Sequence, residues 1–304
     1  MKKVHQITLR KDMSVNDVMK ELLQSGVMGG GRLAQATNII EAMIADKNCK
    51  VFLGIAGALV PGGMRELLLD LLERGYVDVL VTTGAMLTHD LAEALGYAHY
   101  QGHDDADDVK LHKQHLDRMF DSYMPNTVYE GIENLFEKHF DELSKQPTIK
   151  ELLWCIGKIT PARSMLKICF EKKIPVFCPA LADSGIGLMI WGQLAKGKKC
   201  ATNAFEDLKE IISIAWDAKK TGVIYLGGGV PKNFIQQAMQ FSKGAYYGVQ
   251  ITMDRPEHGG SSGAPLKEGI SWGKLNPKGN YVDVICDITI AWPMICAALK
   301  SRLE

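Results

Sequence analysis

No apolar run in the 304-residue chain reaches the roughly 20 residues needed to cross a bilayer, and the opening MKKVHQITLRKDM lacks the apolar core of a signal peptide. Neither sign of charge is in excess, since 35 Lys and Arg face 35 Asp and Glu for a formal net charge of zero. That balance excludes a bulk electrostatic partner such as nucleic acid or an anionic membrane surface, and it leaves charge selectivity to local sites. The cytosol is the expected compartment. The seven cysteines, Cys49, Cys155, Cys169, Cys178, Cys200, Cys286 and Cys296, form no C-x-x-C pair and lie mostly in apolar runs. They are read as reduced structural thiols, Cys178 included, because no flanking motif makes it a nucleophile. His103, His112 and His115 with Asp104, Asp105, Asp107 and Asp108 match no metal-ligand spacing, so no metal is expected.

With 46% hydrophobic and 23% charged residues the chain can bury a large core. Short β-branched runs alternate with longer stretches of helical period, which predicts an α/β fold with a doubly wound, mainly parallel sheet and flanking helices. Strands are expected at Val51–Ile55, Val77–Thr82, Leu152–Ile156, Pro175–Pro179, Gly222–Leu226, Tyr246–Thr252 and Val282–Asp287. Met64, Leu67, Leu68, Leu71 and Leu72 predict a helix over Gly63–Arg74, and Thr88 is expected to cap another running to Leu95. One domain over 1–304 is expected, with a short helical segment at about 1–46, broken by Gly29-Gly30-Gly31, and a helical excursion at about 101–144. Ligands of such sheets bind outside the carboxyl ends of the strands, which places the active site there.

Two stretches could carry chemistry. Gly222–Lys232 reads as a buried strand, a triple-glycine turn and a helix opened by Pro231, a geometry that suits a phosphate or an ordinary tight turn equally well. Gly259–Lys274 combines a flexible loop with Glu268, Trp272 and Lys274 within seven residues. A lysine placed against an indole and partly desolvated becomes an amine nucleophile suited to imine chemistry, whereas in open solvent it is only a loop charge.

The motifs Phe52-Leu-Gly, Val77–Thr83, Ile174-Pro-Val-Phe, Pro179–Asp183, Leu226–Lys232, Glu268–Lys274 and Val284–Asp287, in that order, resemble the deoxyhypusine synthase family from about Gly31 onward. The resemblance implies Rossmann-like subunits in a homotetramer, and NAD as cofactor. It implies an aminobutyl group drawn from spermidine, held as a lysine imine and passed to an acceptor amine. The acceptor would be a lysine of a translation factor precursor, or putrescine in a homospermidine synthase-like reaction. Carried over, Lys274 is the imine-forming lysine, and Glu268 and Trp272 line the substrate pocket. NAD contacts fall at Gly57, Ala58, Pro61, Thr83, Gly84, Ala85, Asp183, Gly228, Met253, Asp254, Asp287 and Ile288.

Four positions that are acidic spermidine contacts in eukaryotic members are Thr88, His89, Leu188 and Ser261 here, and Asn233 replaces an essential histidine. Buried ammonium groups need carboxylate partners, so a polyamine should bind weakly. The form Thr83–Asp90 is similar to the archaeal and bacterial branch, and His89 is expected to take over proton transfer because an imidazole titrates near neutrality. Two other readings stay open: a transferase for a less cationic small amine, and a non-catalytic NAD-binding member.

Overall fold

A computed structural model describes all 304 residues. In chain order the elements are α1 (Val15–Ser25), α2 (Met28–Ala45), β1 (Cys49–Ile55), α3 (Arg65–Glu73), β2 (Val79–Thr82), α4 (Gly84–Ala94), β3 (Tyr100–Gln101), α5 (Asp108–Lys113), β4 (Leu116–Met119) and β5 (Ser122–Pro125). There follow α6 (Thr127–Leu143), α7 (Ile149–Ile159), α8 (Met165–Lys172), β6 (Val176–Phe177), α9 (Gly185–Ala195), α10 (Ala204–Asp217), β7 (Lys220–Leu226), α11 (Gly229–Gln240), β8 (Ala245–Thr252), β9 (Leu275–Ile285) and α12 (Ile288–Leu303). No helix is long and apolar enough to cross a membrane. The chain divides into two compact units, one of Met1–Ile55, Tyr76–Val81 and Lys209–Glu304, the other of Ala56–Gly75 and Thr82–Leu208.

The first unit carries the order β2-β1-β7-β8-β9 of a six-stranded, mainly parallel sheet. Its strands are apolar on both faces, as central parallel strands must be. Two glycines show where the covering helices lie. A Cβ on Gly54 would point at Ile235 of α11, and one on Gly222 at Met43 of α2. Gly54 pairs with Tyr225, three positions after Gly222, and side chains alternate along a strand, so α11 and α2 cover opposite faces. The sheet is therefore doubly wound, as the alternating pattern predicts.

The second unit contains β6, the helices α3 to α9 and a small antiparallel sheet in the order β3-β5-β4. Arg65 donates to the buried Asp90 carboxylate at 2.8 Å, and the other Asp90 oxygen accepts the Met165 N–H at 2.7 Å, which ties α3, α4 and α8 together. Burial raises Asp90 to about 6, with Arg65 pulling it the other way.

Four local expectations are corrected. Leu152–Ile156 is helical, inside α7, because a short apolar run does not distinguish a strand from a buried helix face. Its deciding signals are the Thr148 cap, which accepts the Glu151 N–H at 3.1 Å, and buried residues spaced by three and four. Thr83 rather than Thr88 caps α4, accepting the Met86 N–H at 3.3 Å, because the strand ends there and leaves no intervening loop. Pro231 is the third rather than the first residue of α11, a first-turn position where its missing N–H costs nothing. Gly29-Gly30-Gly31 opens α2, while α1 stops at Gly26 in the left-handed conformation, φ 68°. A Cβ on Gly31 would lie 2.6 Å from the Gly26 carbonyl carbon, so the two helices meet closely at that glycine.

Candidate functional site

In the first unit the parallel registers Ile55↔Leu226, Leu226↔Ile251 and Thr252↔Ile285 bring the carboxyl ends of β1, β7, β8 and β9 to one edge. Gly227-Gly228, Met253-Asp254 and Asp287 follow those strands and share it. Met253 and Asp254 are exposed. Asp287 is an N-cap, its carboxylate accepting both the N–H and the hydroxyl of Thr289 at 2.6 Å, and Ile288 begins α12 behind it. Gly228 is buried because Ser262 lies over it: a Cβ there would come 2.4 Å from the Ser262 Cα.

Ser262 belongs to the loop that leads to Lys274. The loop enters a one-turn 3-10 helix at Leu266–Ile270, turns on Gly273 at φ 71° and delivers Lys274 to the start of β9. The Lys274 N–H donates to the Gly269 carbonyl at 2.8 Å and its carbonyl accepts the Ala245 N–H at 3.0 Å, so its backbone is fixed from both sides. Its Nζ lies 4.9 Å from the centre of the half-exposed Trp272 ring, a cation–π contact. Glu268 is exposed on the same turn.

Lys232, unremarked in the sequence, is 1% exposed and donates to the carbonyls of Ser261 at 2.5 Å and Ala264 at 2.7 Å. Gln250 donates to the same Ala264 oxygen at 3.2 Å. Burial pushes the Lys232 ammonium down to about 8; Asp283, Glu268 and Asp254 pull it up, and Lys274 adds to the push. The expected Lys274, Glu268, Ser261 and Asp254 thus surround a lysine whose only signal was its place after the glycine turn. Asn233, its neighbour on α11, is half-buried.

In the second unit Thr83, Gly84 and Ala85 form the start of α4, and Gly84 packs against Ser184, whose Oγ would lie 2.4 Å from an added Cβ. Thr88 is buried rather than open to a substrate: its hydroxyl donates to the Gly84 carbonyl at 2.9 Å and accepts the Ile186 N–H at 3.2 Å. Leu188 projects from α9 and is 55% exposed. Gly57, at φ 97°, and Ala58 are exposed, Pro61 is half-buried, and Asp183 is exposed just before α9. Pro61 lines a cavity of about 570 Å³ together with Glu93, His99, Tyr100 and Asp121.

His89 does not titrate near neutrality. Burial pushes it down to about 4, and His99, with Nε2 3.0 Å from His89 Nδ1, adds to the shift. Neither His99 nor Glu93, which bonds His99 in turn, stood out in the sequence. The contact depends on the chain folding back after α4, and no short motif records it.

The fold and these residues define a doubly wound α/β protein with glycines and carboxylates at the carboxyl ends of its parallel strands and a lysine held against a tryptophan at the amino ends of β8 and β9. The deoxyhypusine synthase family model matches residues 17–299, and the chain belongs to that family. It is similar to proteins named "Probable deoxyhypusine synthase 1" in Methanosarcina mazei, at 42% identity over 296 residues, 96% of this chain and 93% of that one. The protein of the same name in Archaeoglobus fulgidus is 39% identical over 295 residues, 97% and 96% of the two chains. A crystal structure from Entamoeba histolytica carrying the deoxyhypusine synthase name superposes with TM-score 0.67 at 20% identity, over 95% of this chain and 94% of that one. AgrE, solved with ornithine and NAD+, shares the fold at TM-score 0.56 and 15% identity, over 92% of this chain and 34% of its own.

Proposed function

We propose that the protein is an NAD-dependent aminoalkyl transferase that carries its alkyl group as an imine on Lys274. The observation that carries this reading is the Lys274 side chain, held 4.9 Å from the Trp272 ring on a turn that also bears Glu268. A structural lysine needs no such turn, whereas an amine that must meet a carbon electrophile needs a fixed backbone and an aromatic wall for an alkyl chain. Family membership supports the same chemistry, aminobutyl transfer.

The residues present fit a dinucleotide. The strand edge of the first unit offers the exposed carboxylate of Asp254 for a ribose. NAD, when bound, supplies the hydride acceptor and donor. Lys274 Nζ attacks the oxidised carbon of the amine as the free amine, forming the new C–N bond while the departing amine leaves with its electron pair. Glu268 faces an ammonium group, and Trp272 excludes water from the imine. A second amine then attacks the imine carbon and frees Lys274.

The donor carries few charges. Of the positions that the resemblance makes acidic spermidine contacts none carries a carboxylate here, Thr88, His89, Leu188 and Ser261 standing in their place, so a triamine would leave buried ammonium groups unpaired. That favours a small amine over spermidine as the donor. The test is borohydride trapping with NAD across a panel of amines, followed by peptide mass mapping and NADH absorbance. A covalent adduct on Lys274 that is lost in Lys274→Ala is expected. No adduct with any amine, together with unchanged turnover in Lys274→Ala, rejects the reading.

A further inference from the structure

Three side chains of the second unit form a hydrogen-bonded series. Glu93 Oε1 lies 2.7 Å from His99 Nδ1 and also accepts the His99 backbone N–H at 3.2 Å. His99 Nε2 lies 3.0 Å from His89 Nδ1, the two rings meeting edge to face at 62° with centres 5.0 Å apart. An ionised carboxylate only accepts, so His99 Nδ1 carries a proton. In neutral His99, Nε2 is then the acceptor, and the bond to His89 requires the proton on His89 Nδ1. His89 Nε2 is left bare, and no group of the chain bonds it.

We propose that Glu93 and His99 are positioning residues that hold His89 as its Nδ1–H tautomer and receive the charge when the bare Nε2 takes up a proton. This rests on the proposed transferase reading and on His89 keeping there the proton-transfer role that the sequence leads one to expect. The step balances as one proton in and one passed on. An N–H bond forms at His89 Nε2, the N–H at His89 Nδ1 breaks, and a new one forms at His99 Nε2. The positive charge comes to rest on His99, against the Glu93 carboxylate. The buried His89 ring disfavours the charge, and His99, its Nε2 3.0 Å away and its other nitrogen against the Glu93 carboxylate, takes it. Glu93 and His99 also line the cavity of about 570 Å³, which gives the proton an outlet to water.

Nitrogen-15 spectra of the full-length protein labelled at histidine test this, with the His89 signals assigned by their loss in His89→Asn. The wild-type protein is expected to show a bare Nε2 and a protonated Nδ1 at His89. His99→Phe, which fills the space without ring nitrogens, is expected to give mixed His89 tautomers. It should also lower amine-dependent NADH formation by roughly a hundredfold, with NAD affinity unchanged. Glu93→Gln still accepts from His99 Nδ1, so it should keep the His89 tautomer yet lose rate to a similar degree. A protonated Nε2 in the wild-type protein, which needs no variant to observe, overturns the proposal, as does an unaltered His89 tautomer in His99→Phe. Full turnover in His89→Asn overturns instead the proton-transfer reading beneath it, and it leaves the tautomer signal in place, so the two failures are distinguishable.

Discussion

Lys232 is an ammonium that the fold buries with two backbone carbonyls as partners, and its cost has a sign that can be measured. Its folded pKa of about 8 lies below the ordinary 10.5, so between those values the unfolded chain binds more protons than the folded one, and stability rises with pH. Below pH 8 the full penalty applies, on the order of 3 kcal/mol; above 10.5 it vanishes. Lys232→Met removes the titration, so the Tm difference between wild type and variant should move in favour of the wild type across that window. A difference that stays flat with pH would mean that the lysine keeps its proton throughout. The neighbouring residues differ in how far sequence discloses them. Lys274 and Trp272 are legible because two positions of one turn suffice to place an amine on an indole. Lys232 is not, because its meaning comes from Ser261 and Ala264, about thirty positions away, closing over it.

Among the elements, β1, β2, β7, β8 and β9 were legible because buried parallel strands are written as β-branched apolar runs, and their order of appearance already implies crossover helices. α7 reads as a strand because its five central residues are apolar without interruption, and the cap that declares the helix lies at its margin, in Thr148 and Glu151. The same helix separates intrinsic propensity from packing. Gly157→Ala should stabilise a helix interior by up to about 1 kcal/mol on propensity alone. Yet a Cβ there would lie 2.2 Å from the Leu166 carbonyl oxygen of α8, a backbone atom that cannot rotate away. Packing wins, and urea unfolding should show a loss of about 1–3 kcal/mol. Gly29→Ala in α2, where nothing lies within 4 Å of the new Cβ, should instead gain about 0.5 kcal/mol. Equal shifts for the two substitutions would show that propensity, not the α7–α8 contact, governs Gly157.

At the scale of the whole molecule, the balance of 35 basic and 35 acidic residues removes the long-range repulsion that keeps like chains apart. Short-range apolar surface then decides association. On α9, Leu188 and Trp191 are 55% and 65% exposed, Leu194 continues the same face three residues on, and Phe205 lies 80% exposed beyond the helix. A monomer rarely leaves so many large apolar side chains to water, and burying the exposed two thirds of one indole contributes on the order of 2–4 kcal/mol. Such a face is suited to burial against a second copy of the chain. In a closed assembly each copy presents the same patch, so a charge introduced at Trp191 enters once per subunit, and where the contact is isologous it meets its own like across the interface. Trp191→Glu therefore removes the indole and adds opposed carboxylates in one change, while the partly exposed helix face lets the isolated subunit keep its fold. Sedimentation velocity should show the variant at a smaller mass than the wild type, with its circular dichroism spectrum retained. An unchanged sedimenting mass would show that the exposed face of α9 does not join copies of the chain.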